Sequence, residues 1–222
     1  MTTNCPGFYS DPRGREAIGI SIENRTISTE IRGVNFIGNS FDDLMSEVSP
    51  DTEIAFSLHH GALCSCTIEW TMPITLTATD GDQTASLDCR LILGDPGPRG
   101  GLNREDLHLS LDYATGQRAA NADADGDFET ALIALQRDLP PEVDLKACIS
   151  CGLSDYSPAG NGLFGDLACF RDNADAYLAV SSKEQIFQIW DTLTEYVAET
   201  YLCPSYQRRR PRAGFRGGFP EA

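Results

Sequence analysis

The sequence predicts an α+β fold, with an antiparallel β-sheet or sandwich in its N-terminal part and a cysteine-rich α/β part packed against that sheet. Two observations lead to this prediction. Apolar and polar residues alternate through several segments of the first 120 residues, which is the pattern of half-buried strands. Beyond residue 120, helical spacing of apolar residues and closely placed cysteines replace that alternation. We therefore predict an antiparallel β-sheet domain over residues 1–120, a cysteine-rich α/β region over residues 121–206 and an arginine-rich tail over residues 207–222.

The first predicted hairpin spans residues 17–31 and turns at Asn24-Arg25. Apolar residues recur at every second position before the turn, and isoleucine or threonine does so after it. Pairing residues whose numbers add to 49 places Ile22 opposite Ile27. The alternation and the turn therefore give the same register, which strengthens the prediction of a hairpin.

The second predicted hairpin is a long alternating stretch around a turn signal at Asp80-Gly81. A register in which paired numbers add to 161 places Cys89 opposite Met72 on the apolar face. Cys89 then lies six to eight residues along the strand from Cys64 and Cys66, too far to share a metal ion or a disulfide with them. We interpret these three cysteines as small buried hydrophobic side chains.

Shorter segments complete the predicted sheet of about seven strands. Residues 53–60 and 107–113 alternate in the same way and are predicted to be strands. Residues 40–48 predict a short capped helix ahead of the first of these two strands.

An acidic stretch, NADADGDFE over residues 121–129, resembles the start of a calcium-binding loop. Oxygen-bearing side chains stand at alternate positions: Asn121, Asp123, Asp125 and Asp127. The twelfth position is Leu132, however, where such a loop has a bidentate glutamate, and no helical pattern precedes the stretch. We therefore expect these acids to cap the N-terminus of the helix that follows rather than to bind calcium.

Four cysteines of the C-terminal half form the candidate metal site: Cys148, Cys151, Cys169 and Cys203. Four thiolates suit tetrahedral zinc, and the CxxC pair has the short spacing that such sites require. The second pair is split by 34 residues, so the pattern is less specific than two CxxC pairs. A capped amphipathic helix predicted over residues 181–202 would have to fold back and return Cys203 to the others. Unligated buried thiols and a redox pair remain as alternatives, although no helix follows the CxxC directly, as a redox pair requires.

The stretch SDYSPAGNGLFGD, residues 154–166, predicts a glycine-rich loop between the second and third of these cysteines. It matches neither of the glycine motifs that bind phosphate groups. It can be interpreted as a loop held in shape by the metal, or as a recognition loop. In the second case its partner-binding residues would be acidic, aromatic and arginine side chains: Asp155, Tyr156, Phe164 and Arg171.

The cysteine block and the tail carry several distinctive motifs: CxxC, SDYSP, FGDLACFR, a WDTLTEYVAETYLCP segment and an arginine-rich stretch that ends in FRG. Together they resemble an uncharacterised bacterial family of domains of unknown function. The resemblance is strongest over residues 145–217 and weaker over the predicted sheet. It implies a bacterial source and a shared site region, and it carries no activity to transfer.

The composition is strongly acidic, with a formal net charge of −16. Such a surface repels the phosphates of nucleic acids and of anionic membranes, and it favours a basic protein partner. Five arginines after residue 206 give the tail the opposite sign, because the rest of the chain has twelve basic and thirty-two acidic residues, a net charge of −20. We expect the tail to dock on the acidic body, with RNA as the alternative anionic partner.

No segment approaches the apolar length of a signal-peptide core or of a membrane span, so we expect a cytoplasmic protein without structural disulfides. The sequence therefore predicts a cytosolic bacterial protein-binding module that a four-cysteine zinc site stabilises, and an immunity or inhibitor protein against a basic toxin would fit it. The alternative is a metal- or thiol-dependent enzyme with its site in the glycine-rich loop between Cys148 and Cys169, although no nucleophile–base pair is visible in the sequence.

Overall fold

The computed structural model describes residues 2–98, 100–113, 118–125, 127–211 and 215–220, with only the backbone of residues 113 and 118–125. Antiparallel strands dominate and the helices are short, so the fold is α+β as predicted. The strands are β1 (Thr2–Asp11), β2 (Gly14–Glu23), β3 (Thr26–Ile31), β4 (Val34–Gly38), β5 (Leu58–His59), β6 (Ala62–Leu63), β7 (Cys66–Ala78), β8 (Gly81–Leu93), β9 (Glu105–Tyr113), β10 (Arg118–Asp125), β11 (Asp144–Leu145), β12 (Ser154–Asp155), β13 (Leu167–Cys169) and β14 (Glu195–Val197). The helices are α1 (Pro50–Ala55), α2 (Phe128–Asp138), α3 (Ala174–Leu178) and α4 (Lys183–Ile189). None of the helices that the structure describes has both the length and the apolar character that a membrane crossing requires.

The main sheet has the strand order β10-β9-β8-β7-β1-β2-β3-β4, and β11 pairs beside β7. Along β7 and β8, buried residues alternate with residues that are partly or fully exposed. Isoleucine and leucine predominate on the buried side. One face of the sheet therefore carries the core and the opposite face meets solvent, as the alternation predicts.

The first predicted hairpin is confirmed in its register, with Ile22 of β2 opposite Ile27 of β3. The strand predicted over residues 107–113 is confirmed as part of β9. These elements are local, and their alternation alone decides which side chains point inward.

The second hairpin differs from the prediction by two residues. Its paired numbers add to 159, so the turn is Thr79-Asp80 and Cys89 lies opposite Trp70. The predicted pairing with Met72 is therefore wrong. Gly81 has a φ of +117°, which glycine adopts readily, so this glycine follows the turn instead of lying within it. A shift of two residues leaves every side chain on its predicted face.

The helix predicted over residues 40–48 is reduced to one 3-10 turn that begins at Phe41. Phe41 anchors this turn, because its ring is buried and stacks on Trp70 with ring centroids 3.9 Å apart. The chain then extends, and Met45 pairs with Ile37 at the edge of β4. The segment thus covers part of the free edge of the sheet, which a helix would have left open.

The strand predicted over residues 53–60 is wrong in its first half, because α1 ends there and the strand begins only at Leu58. Ser49 caps α1: its Oγ accepts a hydrogen bond from the Thr52 N–H at 3.2 Å. Pro50 occupies the first helical position, where its missing N–H has no cost. The cap therefore overrides the short alternating pattern.

The long helix predicted over residues 181–202 is wrong in its second half. α4 begins as predicted with Ser182 as its cap, but only a 3-10 turn over Trp190–Thr192 follows it. The next residues form β14, which pairs with β13, and the Thr194 N–H donates to the Cys169 carbonyl oxygen at 2.7 Å. A neighbouring strand thus supplies the hydrogen bonds that a longer helix would have made within itself.

One hydrophobic core joins the sheet to the C-terminal part of the chain. It includes Trp70 of β7, Phe128 of α2, Phe164 of the glycine-rich loop and Cys148. A smaller cluster that includes Tyr177 lies under α3 and α4. The C-terminal part therefore packs against the sheet as predicted, and β10 carries the sheet beyond the boundary expected at residue 120.

Candidate functional sites

The four cysteines of the candidate metal site converge from separate segments of the chain. Cys148 and Cys151 bracket a 3-10 turn, Cys169 ends β13, and Cys203 follows β14. The Cys148 N–H donates to the Tyr201 carbonyl oxygen at 2.6 Å, which holds the residues before Cys203 alongside the CxxC. All four residues are buried, with at most 5 % of each exposed. The chain therefore brings Cys203 back by β14 and the turn after it and not by the predicted helix.

The pKa values of Cys148 and Cys169 reflect their burial and their neighbours in the cluster. Burial raises the pKa of Cys148, and the nearby thiols of Cys203, Cys151 and Cys169 raise it further. Burial also raises the pKa of Cys169, while the neighbouring Arg171 acts in the opposite direction. A metal ion at this cluster would have to displace the protons that burial holds on Cys148 and Cys169.

Four sulfur donors are the set that a structural zinc ion takes, and the convergence of the four cysteines fits that set. Within the described ranges, however, no group of three or more His, Cys, Asp or Glu side chains has the arrangement that a metal ion needs. The thiols therefore lie close together without forming a ready set of ligands.

The other cysteines lie on or beside the buried face of the sheet: Cys5, Cys64, Cys66 and Cys89. They are free thiols, as are those of the cluster. Burial raises the pKa of Cys5 to about 11 and that of Cys66 to about 12. Neutral buried thiols behave as small apolar side chains, which agrees with the interpretation made for the cysteines of the second hairpin.

The glycine-rich loop turns its phenylalanine inward. Phe164 is fully buried against Phe41 and Phe128, with ring centroids 5.4 and 4.7 Å away. Phe164 is therefore a core residue and not the surface anchor that the recognition-loop interpretation requires, because its ring completes an aromatic cluster. Arg171, predicted for the same role, is partly exposed and pairs with Glu195 on β14.

Asp155 and Tyr156, also predicted to contact a partner, belong instead to a buried polar network. The Tyr177 hydroxyl donates to the Asp155 carboxylate at 3.1 Å, and the Tyr156 hydroxyl donates to the Glu199 carboxylate at 3.1 Å. Burial raises the pKa of Asp155, although nearby arginines oppose the rise. These two side chains therefore hold the interior together rather than face a partner.

Glu199 is fully buried within this network. Besides the Tyr156 hydroxyl, it accepts the Gly165 N–H at 2.8 Å. Burial raises the pKa of the Glu199 carboxyl to about 7, while these hydrogen bonds act in the opposite direction. Nothing in the sequence distinguishes Glu199 from the other acidic residues, since it lies in the segment predicted to be helical and its partners are distant along the chain.

Three arginines of the tail dock on the body of the protein, as expected, whereas Arg210 is exposed. Arg208 pairs with Asp144 at 2.6 Å, and Arg216 pairs with Glu129 at 2.5 Å. The Arg216 guanidinium also lies over the Tyr156 ring, 4.6 Å from its centroid. Two tail cations are thus neutralised within the molecule.

Arg209 is more deeply docked, with only 3 % of the residue exposed. Its guanidinium donates to the carbonyl oxygens of Cys151 and Ser154, and its backbone N–H donates to the Ser150 carbonyl oxygen at 2.9 Å. Burial lowers the pKa of Arg209 from its ordinary high value. The tail therefore covers the CxxC turn; Arg212 lies outside the described residues.

The acidic stretch after residue 120 is part strand and part helix cap. Asn121, Asp123 and Asp125 lie in the backbone of β10, which pairs with β9. Asp127 caps α2 by accepting a hydrogen bond from the Glu129 N–H at 2.8 Å, so the predicted cap is confirmed there. A paired strand lacks the curled backbone of the calcium loop that the sequence resembles.

A groove of about 850 Å³ crosses the solvent face of the main sheet. Arg15 lies over the Phe8 ring at 3.9 Å and pairs with Glu69 at 2.9 Å. Arg90 approaches the same carboxylate at 3.8 Å. Charges of both signs therefore face one another across the groove, which gives it no preference for a ligand of one sign.

A family model, described as a family of unknown function (DUF6304), matches residues 3–154. The match covers the main sheet and the CxxC and ends at Ser154, whereas most of the motifs noted in the cysteine block lie beyond that residue. No curated protein and no solved structure matches the chain significantly.

Proposed function

The chain belongs to this family of unknown function, DUF6304, whose description assigns no activity, and we propose that it is a binding module for a basic protein partner. A cytosolic bacterial immunity or inhibitor protein against a basic toxin is one specific form of such a module. The proposal concerns the surface of the molecule, because Asp155, Tyr156 and Phe164 of the glycine-rich loop are buried in the interior.

The docking of the tail carries the proposal. Arg208, Arg209 and Arg216 are turned onto the body, so they are not available to an anionic partner. The chain as a whole, with these arginines included, still has a formal net charge of −16. Such a surface attracts basic proteins over a distance and repels nucleic acids.

A metal- or thiol-dependent enzyme at the glycine-rich loop is the alternative, and the burial of its groups argues against it. The pKa values of Cys148 and Cys169 are raised, so both thiols hold their protons at neutral pH. A catalytic cysteine needs a lowered pKa and access to its substrate. Cys148 and Cys169 meet neither condition, which favours binding over catalysis as the function of this chain.

We include in the proposal a structural zinc ion held by four thiolates: Cys148, Cys151, Cys169 and Cys203. The support is the donor set and the approach of Cys151, Cys169 and Cys203 to Cys148 from separate segments, and binding would require the side chains to rearrange into a set of ligands. Four sulfur ligands leave no position for water, so the ion would stabilise and not catalyse. It would also fix the turn whose Cys151 carbonyl oxygen receives the Arg209 guanidinium.

The salt dependence of binding tests the function. The full-length protein serves as bait, and a protein captured from cells is identified, purified and measured against it at about 50 and about 300 mM NaCl. We expect a basic partner whose association rate constant falls at least about tenfold over this range. An unrelated protein of the same net charge is the control bait for capture by charge alone. An acidic partner, or equal affinity at both salt concentrations, would contradict the proposal.

A further inference from the structure

Ile37, Met45 and Val48 form an apolar surface at the β4 edge of the main sheet, here termed the edge patch. Their exposed fractions are 56 %, 43 % and 58 %. The Ile37 N–H donates to the Met45 carbonyl oxygen at 2.9 Å and the reverse bond is 3.0 Å, so these residues lie directly opposite each other. Side-chain methyl groups of Met45 and Val48 both approach Gly61, each 3.4 Å from the point that a Cβ atom would occupy on that glycine. The three side chains therefore meet on the surface.

Exposed acidic residues flank Met45 and Val48 along the chain and form the rim of the edge patch. They are exposed in the segment that carries Met45 and Val48, or in α1 directly after it: Asp43, Glu47, Asp51 and Glu53. An apolar centre with a charged rim is the usual composition of a protein interface. The single sign of this rim suits a partner of the opposite sign.

The arginines nearest to α1 do not offset these acids. Arg13 and Arg32 donate to the backbone carbonyl oxygens of Ile54 and Ala55. Both also pair with the buried Asp11 carboxylate, at 3.4 and 2.7 Å. Glu16 lies a further 3.9 Å from Arg32, so two carboxylates balance the two guanidinium groups and the rim of the edge patch keeps its negative character.

We propose that the edge patch is the docking surface for the basic partner, an inference that rests on the proposed function. The partner would place an apolar side chain on Met45 and Val48, flanked by lysine or arginine residues that pair with Asp43 and Glu47. The apolar contact supplies affinity, and the charged rim supplies the rate of association and the choice of a basic partner.

The probe is a short amphipathic peptide of leucine and lysine, compared with the same peptide carrying glutamate in place of lysine. Two variants of the full chain alter the edge patch: Met45→Ser with Val48→Ser removes its apolar centre, and Asp43→Asn with Glu47→Gln removes part of its rim. We expect each to weaken binding of the lysine peptide at least about tenfold at about 50 mM NaCl. The side chains concerned are mostly exposed, so thermal unfolding should remain within a few degrees of the wild type, and the rim variant provides a second test where the apolar one folds poorly.

Leu178→Ser with Phe187→Ser is the matched control. These side chains are 42 % and 45 % exposed, much like Met45, and lie on α3 and α4. The control should bind the peptide within about twofold of the wild type. Equal weakening of control and edge-patch variants would overturn the assignment of the surface and leave the proposed function standing. If the wild type binds the lysine peptide no more tightly than the glutamate peptide at both low and high salt, the proposed function fails as well.

Discussion

Glu199 shows how burial of one residue can tie the stability of the whole chain to pH. Its carboxyl is fully buried, and burial raises its pKa from 4.5 to about 7. Between these values the folded state binds more protons than the unfolded state. The contribution of Glu199 to stability is therefore fully present below about pH 4.5 and is lost as the pH rises through about 7.

We predict that Glu199→Gln flattens this part of the stability profile. Glutamine has the shape of the protonated glutamate and can still bond to Tyr156 and Gly165. Above pH 7 the variant should be more stable than the wild type by up to ~3 kcal/mol, the equivalent of the rise in pKa, and near pH 4 the two should agree. Urea unfolding between about pH 4 and pH 8 measures the difference.

Glu195→Gln is the control for this prediction, because it removes a partly exposed carboxylate from the same segment. It breaks the pair with Arg171, which should cost less than about 1 kcal/mol and leave the slope of the profile unchanged. Parallel profiles for Glu199→Gln and the wild type would show that Glu199 does not ionise in this range.

At the scale of elements, the cysteine cluster joins the CxxC turn, β13 and the segment after β14. We predict about one zinc ion per chain in protein purified under reducing conditions and supplied with zinc. Cys148→Ser and Cys203→Ser should each lose the ion and unfold at lower urea concentration, because the metal binds only the folded state. Elemental analysis and urea unfolding of the same samples measure both effects.

Cys64→Ser and Cys89→Ser are the matched controls, since both cysteines are buried free thiols outside the cluster. They should keep the zinc content of the wild type even where burial of a hydroxyl lowers stability. A wild type without zinc, with all four variants equally destabilised, would favour the interpretation of the cluster as unligated buried thiols.

The strands of the N-terminal half could be predicted because their pattern is local. Alternation has a period of two, so it decides the buried face even where the register is uncertain. The turn of the second hairpin was misplaced because Gly81 fits either within a turn or directly after it. The Ser49 cap was missed because residues 53–60 also alternate, and a short alternating segment does not exclude a helical turn.

The candidate site could be predicted only in part, because its contacts join distant residues. The position of four cysteines in the C-terminal half and the CxxC spacing indicated which thiols come together. The path of the chain did not follow from them. The apolar residues from Ile189 to Val197 have helical spacing, but the backbone there is extended because the Thr194 N–H bonds to Cys169 on another strand. Glu199 carries no local signal for the same reason. Local periodicity describes a single element, and these groups take their roles from tertiary partners.

At the scale of the whole molecule, the tail decides how the charge of the chain is presented. The body without the tail has a net charge of −20, and the tail reduces it to −16. Three tail arginines make specific contacts with the body, at Asp144, at Glu129 and at the CxxC turn. We predict that Arg208→Gln, Arg209→Gln and Arg216→Gln together lower the free energy of unfolding by at least about 3 kcal/mol, because the buried carbonyl oxygens of Cys151 and Ser154 lose their donor and two partly exposed carboxylates lose their partners. The loss should be larger at about 20 mM than at about 500 mM NaCl, because salt screens the repulsion within the acidic body.

A second triple variant separates the effect of the specific tail contacts from the effect of removing three positive charges. Arg90→Gln, Arg104→Gln and Arg210→Gln change the net charge by the same amount, but these arginines are exposed. Exposed pairs contribute little, so this variant should lose less than about 1 kcal/mol in urea unfolding at either salt concentration. Equal losses in the two triple variants would mean that general attraction, and not particular contacts, holds the tail. The tail arginines would then be free to reach an anionic partner, and the argument for a basic partner would lose its main support.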